Sequence, residues 1–162
     1  MHILFIGYGK TSQRVAKHLF EQGHHISTIS RSPKMDCYAR HYIQDIHYLD
    51  LTQLDPIDLV YVILAPSQSG IEAYQQTYVD SVEPIANALK NHPVRRIIIV
   101  SSTRVYGENA GERIDDESFI QPIDEQGHLL RKMELLWQSH YPHQSIIVRP
   151  AGIYGTSIAR LK

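Results

Sequence analysis

Two short stretches of this chain hold residue types that could do chemistry together. The first is Gly7-Tyr8-Gly9-Lys10-Thr11-Ser12, which follows the apolar run Ile3–Ile6 and leads into a helical pattern. Gly7 permits a tight turn and Gly9 lets backbone approach a pyrophosphate, while the helix N-terminus offers free N–H groups and a positive dipole end. Ser12 stands where a third glycine is usual, and it is small enough for close helix–strand packing. The second stretch, Ser30-Arg31-Ser32, closes the next apolar run. An acidic residue about 20 positions after the glycines would hold a ribose 2′-hydroxyl. Here an arginine between two hydroxyls stands instead, and a guanidinium pairs with phosphate oxygens as a bidentate fork. The expected ligand is therefore a nucleotide cofactor with a 2′-phosphate, NADP(H) in preference to NAD(H).

The elements that must position these residues alternate along the chain. Short apolar runs occur at Ile3–Ile6, Ile26–Ile29, Leu59–Leu64, Ile97–Val100 and Ile146–Val148, with a weaker one at Ile46–Leu49. Runs this short and this rich in Ile and Val read as strands buried on both faces. Helical stripes lie between them. Val15, Leu19 and Phe20 stop at Gly23; Ile71, Tyr74, Tyr78, Val82, Ile85 and Leu89 form a long stripe with Pro84 as an internal kink; Leu129, Leu130, Met133, Leu136 and Trp137 end before Pro142. The alternation predicts an α/β fold: a Rossmann-type, doubly wound parallel sheet of about six strands with helices on both faces. Residues 1–162 read as one domain, without repeats or linker-like stretches.

Other function classes find little support. Sixteen basic residues against 17 acidic ones give a net charge of −1, no electrostatic footprint for nucleic acid or an anionic membrane. The apolar start breaks at Gly7, too short for a signal sequence or a span. Cys37, the one cysteine, has no internal partner and reads as a small buried or half-buried hydrophobe. A reducing compartment follows, and with it the cytoplasm. Ten histidines raise the question of a metal. However, His24 and His25 face opposite ways on a strand, and Pro142 breaks the helix that would align His140 with His143. No metal is expected.

The later motifs carry a family resemblance. Ser101-Ser102-Thr103-Arg104-Val105-Tyr106-Gly107 closely resembles the SSxxVYG segment of extended short-chain dehydrogenases/reductases, the NAD-dependent epimerase/dehydratase family. Asp116-Glu117 and Pro122 match the acidic residue and proline that follow it. Arg149-Pro150-Ala151-Gly152-Ile153-Tyr154-Gly155 resembles the family's RPxxxYG segment after the sixth strand. Asp50-Leu51, at the third strand, resembles the pair used at the adenine. Ala65 and Pro66, after the fourth strand, and Pro150, after the sixth, complete the expected cofactor contacts. The resemblance implies an oxidoreductase, epimerase or dehydratase acting on a nucleotide sugar or another hydroxyl or ketone compound. It also implies a homodimer formed through the Ile71–Leu89 and Leu129–Trp137 helices.

Two departures qualify it. The family's centre is a Ser or Thr, a Tyr, and a Lys four residues after the Tyr. Ser102 matches the first. Aligned through Glu134, the Tyr position is Gln126 and the Lys position is Leu130. A phenol with pKa near 10 needs a neighbouring cation to exchange protons at neutral pH, and neither residue replaces that pair. Lys132 lies two residues on, about 200° around the helix, and Tyr106 is the phenol left for recruitment. The chain also stops seven residues beyond Gly155, where extended members continue into a substrate-binding region. A catalytic member, a non-catalytic NADP(H)-binding module and a truncated relic thus all remain open.

Overall fold

A computed structural model of the chain describes residues 1–107 and 111–151. Six strands form one sheet: β1 (His2–Ile6), β2 (His25–Ser30), β3 (Arg40–Ile43), β4 (Leu59–Val62), β5 (Arg96–Val100) and β6 (Ser145–Val148). Their order is β3-β2-β1-β4-β5-β6, and every pairing is parallel. The order reverses between β1 and β4, so a crevice opens at the C-terminal ends of those strands, the place where such sheets take ligands.

The two faces are covered by different helices. In β1, Leu4 and Ile6 face one side and Ile3 and Phe5 the other, as a strand's period of two requires. Helix α1 (Lys10–Glu21) packs Ala16, Val15 and Leu19 on Ile3, Phe5 and Ile26. The opposite face carries the larger core, where α3 (Val82–Leu89) and α4 (Glu125–His140) bury Ile85, Leu89, Leu130, Met133 and Trp137 against Val60, Val62, Ile97 and Ile99. Each such side chain contributes about 1.5–3 kcal/mol by leaving water. Asp124 caps α4 by accepting the Gly127 N–H at 2.7 Å, and Pro142 stands just beyond the last turn.

Three expectations need correction. Ile46–Tyr48 is a 3-10 turn and not a strand; the third strand is Arg40–Ile43. As an edge strand it is only partly covered, so it needs no apolar run. Asp50 and Leu51 therefore follow that turn instead of lying at a strand. The Ile71–Leu89 helix is broken, but not by Pro84. A short helix α2 (Ile71–Tyr74) passes into a π-helical stretch at Gln75–Val79, and Pro84 sits in the first turn of α3, where a missing N–H costs nothing. Finally, Cys37 is exposed; it lies in the loop between β2 and β3, away from either core cluster.

Candidate functional site

The end of β1 enters the crevice through Gly7, whose φ is +90°. A Cβ there would lie 2.0 Å from the carbonyl oxygen of Ile63 at the end of β4, so no other residue fits. Gly9 is different. Its backbone is extended, and a Cβ on it would meet no protein atom within 4 Å. The space in front of Gly9 is open. Behind it, α1 begins with no side-chain cap on Gly9 and no acidic residue in the first turn. The first-turn N–H groups, with Lys10 and Thr11 exposed beside them, thus face an open cradle. Those features suit a pyrophosphate: free donors, a positive dipole end and room for backbone-to-phosphate approach. Ser12 is fully buried and donates to the Gly7 carbonyl at 3.0 Å, so it braces the turn from within.

Tyr8, between the glycines, is buried and directed away from water. Its hydroxyl donates to Asp36 Oδ2 at 2.8 Å. Burial, then the bond to Asp36 and the charge of that carboxylate, push its phenol well above the ordinary pKa, so it remains a donor. At the end of β2, Ser30 donates to the Ser32 carbonyl at 2.9 Å, which tightens the turn that carries the exposed Arg31. Asp50 is exposed and accepts the Thr52 N–H at 2.9 Å and the Thr52 hydroxyl at 2.6 Å through Oδ1. These bonds hold its carboxyl below the usual range, so it is an acceptor at neutral pH. Leu51 is in the core, which leaves only its backbone for a ligand. Ala65 is exposed and Pro66 half-exposed at the end of β4.

The second half of the site lies at the end of β5. Ser102 caps the 3-10 turn Thr103–Tyr106, its Oγ accepting the Arg104 N–H at 3.1 Å. That arrangement leaves the Ser102 proton free to donate elsewhere. The start of α4 packs closely on this turn. A Cβ on Gly127 would lie 3.0 Å from the Arg104 carbonyl, which explains a glycine one residue after Gln126. Arg104 reaches the Gln126 side-chain oxygen and lies 3.4 Å from Asp124. Leu130 is 2% exposed and belongs to the hydrophobic core. Lys132 is exposed on the other side of α4, where it lines a cleft of about 680 Å³ with Ile71, Gln75 and Leu129. It is not a substitute for the missing cation.

Tyr106 is engaged below the site. Its hydroxyl accepts from Arg149 Nη1 at 2.9 Å, and the guanidinium lies 5.2 Å from the ring centroid. Arg149 also forks onto the fully buried Glu134, at 3.0 and 2.8 Å, and Arg131 adds a third bond at 3.0 Å. Burial opposes the Glu134 charge, but the bonds from Arg149 and Arg131 outweigh it and hold the carboxyl below its ordinary pKa. Arg131 and Glu134 are three residues apart on α4, but Arg149 is 15 residues from Glu134 and 43 from Tyr106, so no single short motif announced the network. Pro150 is half-buried, Ala151 ends the described part of the motif, and Gly152–Gly155 lie outside the described residues.

Comparison with known proteins fits this geometry. The model of the NAD dependent epimerase/dehydratase family matches residues 7–160. Protein YeeZ of Escherichia coli K12 is 30% identical over 107 residues, which cover 65% of this chain and 38% of that protein. UDP-glucuronic acid 4-epimerase from Bacillus cereus, solved in complex with NAD, superposes with a TM-score of 0.79 at 21% identity. That superposition covers 96% of this chain and 58% of the epimerase. A UDP-galactose 4-epimerase gives 0.79 at 18% identity, over 92% of this chain and 55% of its own. At these identities the two structures establish the fold. The chain spans about four tenths to six tenths of the length of these proteins.

Proposed function

The chain belongs to the NAD dependent epimerase/dehydratase family, and on that footing we propose that it holds NADP(H), in preference to NAD(H), across the ends of β1 and β4. The observation that carries this reading is the uncapped N-terminus of α1 behind Gly9, with open space where a side chain would stand. Arg31, exposed at the end of β2, is the cation for a 2′-phosphate. Asp50 accepts from the adenine amino group, and Ala65, Pro66 and Pro150 line the cofactor's path.

When bound, the nicotinamide supplies hydride exchange with a hydroxyl or ketone. Ser102 donates its free proton to the reacting oxygen and orients it. The whole protein acts on a nucleotide sugar or a related hydroxyl or ketone compound, a reading supported by the likeness to UDP-sugar 4-epimerases. In the chain as given, Gln126 cannot exchange a proton, Leu130 supplies no positive field, and the Tyr106 ring is held against Arg149 through a bond that its hydroxyl accepts. A carbonyl oxygen gaining charge needs a proton as that charge builds. These residues therefore bind cofactor while transferring hydride poorly. This favours a binding module whose proton donor, if the whole protein is catalytic, comes from outside α4.

The test is a titration of NADPH and NADH, followed by an assay of the same sample with UDP-sugars and simple carbonyls. The expected result is saturable binding, tighter for NADPH, with nicotinamide absorbance unchanged on adding substrate. Rapid oxidation of NADPH would overturn the binding-module reading and point to a phenol recruited within this chain. A homodimer through α2 and α4 belongs to the same proposal: Ile71 is 40% and Leu135 49% exposed, and a cleft separates the two helices. Sedimentation should give a dimer that Ile71→Asp dissociates. Among the described residues no helix is long and apolar enough to cross a membrane, and with the lone cysteine exposed we place the protein in the cytoplasm.

A further inference from the structure

Tyr8 begins a chain of side chains that links the phosphate turn to the loop carrying Arg31. Its ring meets Phe5 edge-on at 6.3 Å and the His41 ring at 5.0 Å. Its hydroxyl donates to Asp36 Oδ2 at 2.8 Å. The other carboxylate oxygen, Oδ1, accepts from His41 Nε2 at 3.0 Å and from the Tyr38 N–H at 3.2 Å. On its far side, His41 Nδ1 lies 2.6 Å from the hydroxyl of Thr28, which is fully buried in β2. Four separate elements thus converge: the phosphate turn, residues 31–39, β3 and β2.

Asp36 is the one acidic residue in the 31–39 segment, which also carries Arg31 and Lys34. Both of its oxygens are occupied by protein donors. A carboxylate engaged in this way is not available to chelate a ribose diol, the chemistry that selects NAD. With its acid turned inward, the segment shows solvent its two cations, and those suit a 2′-phosphate.

We propose that Tyr8, Asp36 and His41 are positioning residues that set cofactor choice: they tie the 31–39 segment to the phosphate turn and withhold its carboxylate from the ribose. The proposal rests on the NADP(H) reading above and deepens it. Tyr8 would thus hold two parts of one ligand site in register without touching the 2′-phosphate.

The experiment measures NADPH and NADH dissociation constants for the unmodified chain, Tyr8→Phe, Asp36→Asn and the double variant, with the melting temperature of each ligand-free protein. Tyr8→Phe keeps the ring contacts and removes only the donor, so it carries the test if Asp36→Asn folds poorly. In Tyr8→Phe, which frees Oδ2 and keeps the carboxylate, the NADPH-to-NADH affinity ratio should fall about tenfold, the equivalent of one hydrogen bond to a charged group; in Asp36→Asn, which removes the carboxylate itself, it should fall less. The double variant should lose no more than Tyr8→Phe alone, because once residue 36 is neutral the tyrosine donor has no carboxylate left to withhold. A ratio that stays or rises in Tyr8→Phe, even with both affinities lowered, overturns the proposal, as does full additivity in the double variant. The unmodified chain's own ratio judges the NADP(H) reading separately. A preference for NADH there removes that reading, while the network still stands or falls on whether the ratio moves. Binding of neither cofactor overturns both.

Discussion

The ends of β1 and β5 face one crevice but are built from different materials. At β1 the working groups are backbone: N–H groups of the first turn of α1, reached because Gly7 packs on Ile63 and Gly9 leaves its surroundings clear. At β5 they would be side chains, projected from the turn after Ser101 and from one face of α4. The first region has every feature that the proposed cofactor site needs. The second has Ser102 and the Glu134–Arg149 pair, with Gln126 and Leu130 at the positions the resemblance proposes for a proton-transferring pair. A backbone site is hard to lose without losing the fold. A side-chain site can be exchanged for packing, and Leu130, proposed for the position of the family's lysine, lies in the core.

The largest expected effect lies under the second region. Glu134→Gln leaves Arg149 buried without its counter-charge and should cost about 3–5 kcal/mol in a denaturant titration. The pH dependence has a definite sign. Because the folded carboxyl titrates below its ordinary 4.5, its stabilisation is complete above that pH and is lost as pH falls through and below it. The melting temperature of the unmodified chain should therefore drop more steeply below about pH 5 than that of Glu134→Gln. Parallel curves would show that the pair does not control acid stability.

Gly7→Ala comes next, at about 3 kcal/mol or more from the backbone clash and the left-handed φ. Gly9→Ala should cost about 1 kcal/mol or less in stability yet weaken NADPH at least about tenfold by filling the cradle. Similar stability losses at both glycines would erase the contrast between a folding glycine and a binding one. Leu130→Lys should destabilise by about 2–3 kcal/mol, since a cation replaces a core side chain. A fully stable variant would mean that the site tolerates the family's lysine and that its loss was not traded for packing. The loop comes last. Arg31→Ala should weaken NADPH by about 1.5–3 kcal/mol and leave NADH nearly unchanged; equal losses would show that Arg31 does not read the 2′-phosphate.

Local chemistry made much of this legible in advance. Ile3–Ile6, Ile97–Val100 and the glycine turn could be placed because strands buried on both faces need unbroken apolar runs, and a phosphate turn needs glycines next to a helix start. The edge strand Arg40–Ile43 escaped notice because only one neighbour pairs with it, and half-exposed positions tolerate Arg and His. Pro84 misled for a related reason: a proline is neutral in a first turn and disruptive later, and only the π-helical stretch before Ser81 decided which applied.

By itself, the amino-acid order determined the alternation of strands and helices and the glycine turn, and the family resemblance is what proposes Gln126 and Leu130 for the Tyr and Lys positions. These depend on neighbours a few residues apart. Only the tertiary structure decided that Tyr8 turns inward to Asp36, that Lys132 lines a cleft with Ile71 and Gln75, and that Arg149 bridges Glu134 and Tyr106. Hydrogen-bond partners and the burial of a charge depend on which distant segments pack together, and no local spacing encodes that.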